Sequence, residues 1–358
     1  MRCAGQTDRM QTTRTRTGAA AAVLILALAV GCGGSGKTSG VAGAEKTRSS
    51  TLVGAGSTLV APLVAQWQSP YSTAHGVTVA YSAIGSGGGI QQITDRTVDF
   101  GATDAPLSAG QAKACKGCIQ IPWALAATTV SYNLPGLSKP LRLSGPVIAD
   151  MYLGTIKAWN DPRIQRLNPA VKLPSTVVRP FYRSDGSGDT YAFTDFLSHV
   201  SPLWKSKVGV STVVSWPTGA GAAKNSGVVA AVQSNPGAIG YVAIGNAVGA
   251  KLTYADVQNQ AGAFVRPATK TIAAAGQTAQ FGKDNSASIV DPPASAKTAY
   301  PISTFTYAIF PRGSSKLSTI RRFLKYAVTA GQKFAPALEF APLPQSVAAK
   351  DRATIRGL

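Results

Sequence analysis

Three short stretches of this chain repeat one design. In "GAGSTLVAPL" (54–63), "AIGSGGGIQQI" (83–93) and "RSDGSGDTYAF" (183–193), a strand-like run ends, glycines make a turn, and a serine sits in it. An apolar-periodic helix then begins. Each arrangement presents free backbone N–H groups and a hydroxyl at a helix N-terminus. One such site is an ordinary helix cap. Three of them, all Gly-Ser and all following strands, suggest convergence on one anion, because helix N-termini and clustered amides attract negative charge. Three independent caps are the plain alternative.

Two charged positions fit the anion reading. Arg183, just before the third serine turn, offers a planar fork of donors to an oxyanion, and Asp185 beside it can brace the guanidinium or form a simple Asx-turn. Asp104 ends the apolar strand "VDFGATD". A carboxylate there repels a bare anion but accepts a hydrogen from one that carries a proton. Against a fully ionised tetrahedral anion such as sulfate, it faces an acceptor with nothing to donate.

Other chemistries fail on their residues. "GCGGSGKT" (31–38) fits the phosphate-loop spelling, but no strand precedes it and no helical pattern follows. The nucleophile elbow G-x-S-x-G is not met, since Ala55, Ile84 and Asp185 stand two before Ser57, Ser86 and Ser187. The two histidines, His75 and His199, lie in a polar turn and at a helix end, so neither reads as a catalytic base. Neither "GAGSTL" nor "GSGGGI" completes a dinucleotide fingerprint. The residues are built to hold a ligand, not to react with it: no enzyme, no cofactor and no metal site is expected.

Sequence bulk and punctuation set the context. A basic start (Arg2, Arg9, Arg14, Arg16) and the twelve apolar residues 19–30 read as a secretory signal over residues 1–31. The ending "AVGC" resembles a bacterial lipobox, with Cys32 lipidated and Ala29 where Leu is usual. The formal charge of +20 becomes +17 without the leader's four arginines and one aspartate. These charges are scattered, the densest run being "IRRFLK" (320–325), and no nucleic-acid signature appears. Such basicity can concentrate anions or hold the chain against an acidic envelope. Outside the cell, Cys115 and Cys118 in "CKGC" favour a small loop disulfide over a redox or metal motif.

The elements follow a βαβ rhythm from Thr51 on, after a Gly/Ser-rich tether at 32–50, which indicates an α/β protein. "SGPVIADMYLGTIKAWND" (144–161) is expected to form one amphipathic helix, and the C-terminal stretch 318–344 two helical segments.

Six motifs in order carry a resemblance: "GAGSTL", "IGSGGGIQQI", "VDFGATDAPLS", "MYLGTIKAWNDPRI…LNP", "RSDGSGDTYAFTDFL" and "NPGAIGYV". The chain resembles the periplasmic phosphate-binding proteins of high-affinity phosphate ABC transporters, from about Thr51 to the C-terminus. The resemblance implies a type II periplasmic-binding-protein fold, with two α/β lobes closing by a hinge over a ligand in the cleft. Lobe I would comprise residues 51–126 and 301–358, and lobe II residues 127–300. It also implies phosphate contacts at Thr58, the backbone of Leu59, Ser86, Asp104, Arg183, Ser187 and Gly188, with Ser57 an adjacent candidate and Asp185 in support.

Two positions depart from the family pattern. Leu59 replaces a common Phe, which is harmless if only its N–H is used. Asp189 stands where well-known members have Thr. It would accept a second phosphate hydrogen, or point away while Thr190 substitutes; participation is the expectation here. If both acids contact the ligand, affinity should fall as pH rises. The implied function is a lipid-anchored receptor on the outer face of the cell membrane. It would deliver inorganic phosphate to permease and ATPase subunits. The alternatives are a secreted phosphoester hydrolase, or a receptor for another oxyanion such as sulfate or molybdate.

Overall fold

The computed structural model describes residues 50–137 and 139–358, so the leader, Cys32 and the tether up to residue 49 lie outside it. The strands are β1 (Ser50–Gly56), β2 (Val77–Ala83), β3 (Phe100–Thr103) and β4 (Cys118–Tyr132), then β5 (Arg142–Leu143), β6 (Arg179–Arg183), β7 (Ala220–Ala222) and β8 (Ala238–Ala243). Last come β9 (Thr253–Tyr254), β10 (Asp256–Gln258), β11 (Phe264–Val265) and β12 (Ser303–Pro311). The main sheet runs β2-β1-β3-β12-β4-β8-β6-β7, with β9 beside β4, while β11, β10 and β5 form a small separate sheet.

Strand direction explains where a site can form. β1 is parallel to β2 and β3, and β6 is parallel to β7 and β8, so each group sends its turns to one end. Open α/β sheets hold ligands beyond the C-terminal ends of such strands. The long β4 joins the two groups. It pairs with β12 over Cys118–Ala127 and with β8 over Thr128–Tyr132, both antiparallel. Nearly all of β4, β8 and β12 is buried, as covered central strands should be.

Large aromatic residues anchor each half. Trp67 meets Trp123 edge-on at 5.3 Å, and Phe323 packs against Trp67 and Trp123, all fully or almost fully buried. The other half stacks Phe193 on Tyr241 at 4.6 Å and sets Tyr152 edge-on to Phe193 at 4.9 Å. Such pairs add packing specificity beyond their buried area.

Three features differ from the sequence expectations. The helix expected over 144–161 stops at Tyr152, because Gly154 takes a left-handed φ of +76° and the chain leaves the helix through an irregular turn. Ile156 and Trp159 are buried from that irregular segment, so their spacing mimicked a helical stripe. The sequence suggests one strand at "IQIPW" ending at Pro122 and another at "ATTVSY"; the structure joins them in one strand, β4, with Pro122 inside it. After the helix Leu317–Ala327 come two short 3₁₀ turns and a further helix, Gln345–Arg356, that the sequence reading did not place. Its few apolar positions, such as Val347 and Ile355, are diluted by alanine and charge.

Candidate anion-binding site

Most residues of the site lie at or just beyond the C-terminal end of a strand. Ser57, Thr58 and Leu59 leave β1, Ser86 follows β2, and Asp104 follows β3. Arg183 ends β6, and Ser187 and Gly188 open the helix Gly188–Val200. Ser86 opens the helix Ser86–Thr94, and Asn225 stands at the start of the helix Lys224–Ser234 after β7. Helix N-termini therefore meet here, each bringing partial positive charge.

Asp104 is the centre of the first half. Its Oδ2 accepts the Ser57 hydroxyl at 2.7 Å and the Ser86 hydroxyl at 3.3 Å. Its Oδ1 is buried and has no hydrogen-bond partner. Burial and the nearby Asp189 carboxylate push its pKa up to about 7, against the pull of Ser57, Arg183 and Ser86. A buried oxygen without a donor costs free energy, so this atom calls for a hydrogen from outside the protein. Ser57 is fully engaged: besides Asp104, its Oγ accepts the N–H groups of Leu59 at 3.0 Å and Val60 at 3.2 Å. Both hydroxyl and turn are thus used to set Asp104, and the Leu59 N–H is turned inward in this structure.

Arg183 organises the second half, with its side chain almost completely buried. Its Nε donates to Asp185 Oδ1 at 2.8 Å and its Nη2 to Asp185 Oδ2. Nη1 donates to Asp189 Oδ2 at 3.0 Å. Three of the five guanidinium hydrogens are used, so one on each Nη is left for a guest. Burial pushes the Asp185 carboxyl up, but the hydrogen bonds and charge of Arg183 together with the Lys224 N–H outweigh it and hold its pKa below the ordinary value. The Arg183 backbone N–H donates to the Tyr241 hydroxyl at 2.8 Å, which ties the site to the Phe193–Tyr241 stack.

Asp189, the departure from the family pattern, is fully buried. It accepts from Arg183, from the Thr128 hydroxyl at 2.8 Å and from Asn225 Nδ2 at 2.8 Å. Burial pushes its carboxyl up while Arg183, Thr128 and Asn225 pull it down, and the rise wins. Three of its roughly four lone-pair sites are engaged. Thr190, the possible substitute, shares a 2.7 Å hydrogen bond with the Tyr241 hydroxyl. Ser187 Oγ accepts the Thr190 N–H at 3.4 Å, and its own hydrogen has no acceptor among the described residues.

The two halves touch directly. Gly188 N–H donates to Ser86 Oγ at 3.0 Å, and Gly87 N–H donates to Gly186 O at 2.9 Å. Asn225 Nδ2 reaches the Thr58 hydroxyl at 2.9 Å as well as Asp189. Close approach explains the glycine at 188, where an added Cβ would lie 2.3 Å from Asp104 Cβ.

A family profile describing a PBP superfamily domain matches residues 41–330. "Phosphate-binding protein PstS" of Xylella fastidiosa (strain Temecula1) is 38% identical over 308 residues, covering 85% of this chain and 84% of that protein. The chain belongs to the family of phosphate-binding proteins PstS. A relative of the same name from Pasteurella multocida is 37% identical, covering 86% of this chain and 90% of its own. Among solved structures, a high-affinity periplasmic phosphate-binding protein bound with phosphate aligns with a TM-score of 0.67 at 24% identity. That alignment covers 85% of this chain and 93% of its own. A Clostridium perfringens protein solved with bound phosphate aligns with a TM-score of 0.61 at 16% identity, covering 82% of this chain and all of its own. These likenesses establish the type II periplasmic-binding-protein fold.

The structure brings Ser57, Thr58, Leu59, Ser86, Asp104, Arg183, Asp185, Ser187, Gly188 and Asp189 into one neighbourhood through the contacts above. Sequence reasoning missed Asn225, Thr128 and Tyr241. Asn225 sits in the unremarkable run "AKNSGVV", yet it is buried and its Oδ1 also accepts the Ala243 N–H at 2.8 Å. Thr128 carried a weak signal, as a hydroxyl pair in the otherwise apolar "LAATTV". Away from the site, Cys115 and Cys118 are joined as a disulfide, with Cα atoms 5.5 Å apart. No group of three His, Cys, Asp or Glu side chains is placed to hold a metal among the described residues.

Proposed function

We propose that this protein is the substrate-binding receptor of a phosphate ABC transporter, capturing inorganic phosphate and presenting it for import. The family is one of receptors, not enzymes. The observation that carries the reading is Asp104: a buried acceptor oxygen without a donor, set by Ser57 and Ser86 beside helix N-termini and the free N–H groups of Arg183. Such a site grips four oxygens with neutral dipoles and one guanidinium, and asks its guest for a hydrogen. In this reading Thr58, Ser187 and Arg183 donate to phosphate; Leu59 and Ser86 do so once their hydrogens leave Ser57 and Asp104, while Gly188 keeps its hydrogen on Ser86 and lines the pocket. Asp189 spends its remaining lone pair on a second phosphate hydrogen.

The pH dependence follows from proton counting. The complex then holds hydrogens that free phosphate loses as pH rises, so affinity falls above neutrality. Sulfate has no hydrogen, so it can be accepted only when Asp104 itself is protonated, below about pH 7.

Closure, anchoring and delivery complete the proposal. Residues 51–126 with 301–358 form one lobe and 127–300 the other, which is supported by β4 changing partners between Ala127 and Thr128. The Gly188–Ser86 and Gly87–Gly186 contacts then cross between lobes and belong to the closed form. That form would be the one recognised by the permease and ATPase subunits. Lipidation at Cys32 would hold the receptor at the outer face of the membrane. No helix of the described residues is long and apolar enough to cross a bilayer. Calorimetric titration with phosphate and with sulfate at pH 6 and pH 8 tests the binding reading. Strong phosphate binding with sulfate excluded at pH 8 supports it, and equal affinities at pH 8 would refute it.

A further inference from the structure

We infer that the helix Leu317–Ala327 carries a second, membrane-facing site: a basic groove that docks the receptor on anionic phospholipid headgroups. Ser318, Arg321, Arg322 and Lys325 are spaced three and four apart, which puts them on one helix face. Together with Ile355 and Arg356 they line a groove of about 450 Å³. The helix contains no acidic residue, and the one acid of the adjoining helix, Asp351, is buried. Among the described residues, none of the four cations takes part in an ion pair. Arg321 is held in place by donating from Nε to Ile355 O at 3.1 Å and from Nη2 to Arg356 O at 3.2 Å. Capping those carbonyls uses one cation and leaves Arg322, Lys325 and Arg356 exposed around it.

The position of the groove selects a membrane over another polyanion. Lys316, the residue before this helix, donates from Nζ to Thr51 O at 2.9 Å. Thr51 is the second residue of β1, where the chain from Cys32 enters the fold. The helix rises about 1.5 Å per residue, so the basic face begins within roughly one turn of that entry point. A cluster of exposed cations close to where an anchored chain enters the fold lies within reach of anionic headgroups, each cation adding about 1 kcal/mol at the surface. The inference rests on the anchored-receptor reading. Mass spectrometry of the native protein for a lipid on Cys32 tests that reading separately.

The mature chain beginning at Cys32→Ser, without lipid, is mixed with vesicles of phosphatidylcholine alone or with added phosphatidylglycerol, at 0.1 M salt. Bound and free protein are separated by sedimentation. Anionic vesicles should bind it and neutral ones should not. Each cation near such a surface contributes about fivefold, so Arg322→Gln with Lys325→Gln should weaken binding on the order of thirtyfold. Both replaced residues are exposed, and calorimetric phosphate binding should be unchanged, confirming the fold. Neutralising the exposed Lys205 and Lys207 on another helix should leave vesicle binding within a few-fold. An equal loss from that control pair, an unaffected groove variant, or displacement by free phosphate at matched ionic strength would each overturn the inference.

Discussion

Replacing Gly188 by Ala separates binding from folding. The new methyl would lie 2.3 Å from Asp104 Cβ and 2.7 Å from both Asp104 Cα and Oδ2. Carbon atoms rest at about 3.5–4.0 Å, so the two segments must part by roughly 1.5 Å. The obstructing atoms belong to Asp104's backbone and first carbon, which no rotamer change can move. Opening by that amount stretches the 3.0 Å bond from Gly188 N–H to Ser86 Oγ beyond hydrogen-bond reach. Losing the bond costs about 1 kcal/mol, and the residual overlap about 1–3 kcal/mol. Phosphate affinity should therefore fall by about 2–4 kcal/mol, on the order of thirty to a thousandfold. The unliganded fold should not suffer, because Ala is the better helix former by up to about 1 kcal/mol. Calorimetry gives the affinity, and thermal unfolding with and without phosphate gives the stability. Unaltered phosphate affinity in Gly188→Ala would show that this approach is not part of the bound state.

Three further substitutions probe other parts of the account. Asp351 has both carboxylate oxygens buried without partners, and burial pushes its pKa up to about 8 despite Lys350 and Arg352. The folded state thus keeps a proton that the unfolded chain releases near pH 4, so stability falls as pH rises from about 4 to about 8. Asp351→Asn should remove that slope and gain roughly 2–4 kcal/mol at pH 7 in denaturant unfolding; parallel pH profiles would contradict this. Arg183→Lys loses the fork that grips Asp185 and the two free donors, and should weaken phosphate binding at least about a hundredfold by calorimetry. Asn225→Ala removes the amide linking Asp189 to Thr58. It should cost about 1.5–3 kcal/mol, divided between unfolding and phosphate affinity.

What the sequence disclosed depended on how local the physics was. The Gly-Ser turns, Arg183 and Asp104 were legible because each stands at a strand-to-helix junction whose pattern lies within ten residues. Asp185 was legible because a two-residue separation suffices to brace Arg183. Asn225 and Thr128 were not, since their roles exist only across separations of 36 and 61 residues from Asp189. Asp189 itself was visible as a substitution, but its donors could not be named from the chain. The βαβ rhythm gave the fold class, while β4 looked like two strands because Pro122 interrupts an otherwise continuous apolar run. Gly154 shows the converse error: apolar spacing continued past it, and one left-handed residue ended the helix.

Asp104→Asn tests the central claim most directly, by titrating the variant and the natural protein with phosphate and sulfate at pH 8. At that pH the natural carboxyl is largely ionised and demands a hydrogen, whereas the amide can donate one. The account predicts that the variant gains sulfate binding and loses much of its preference for phosphate, a swing of at least about a hundredfold in their ratio. A variant that still excludes sulfate and keeps its phosphate affinity would contradict it.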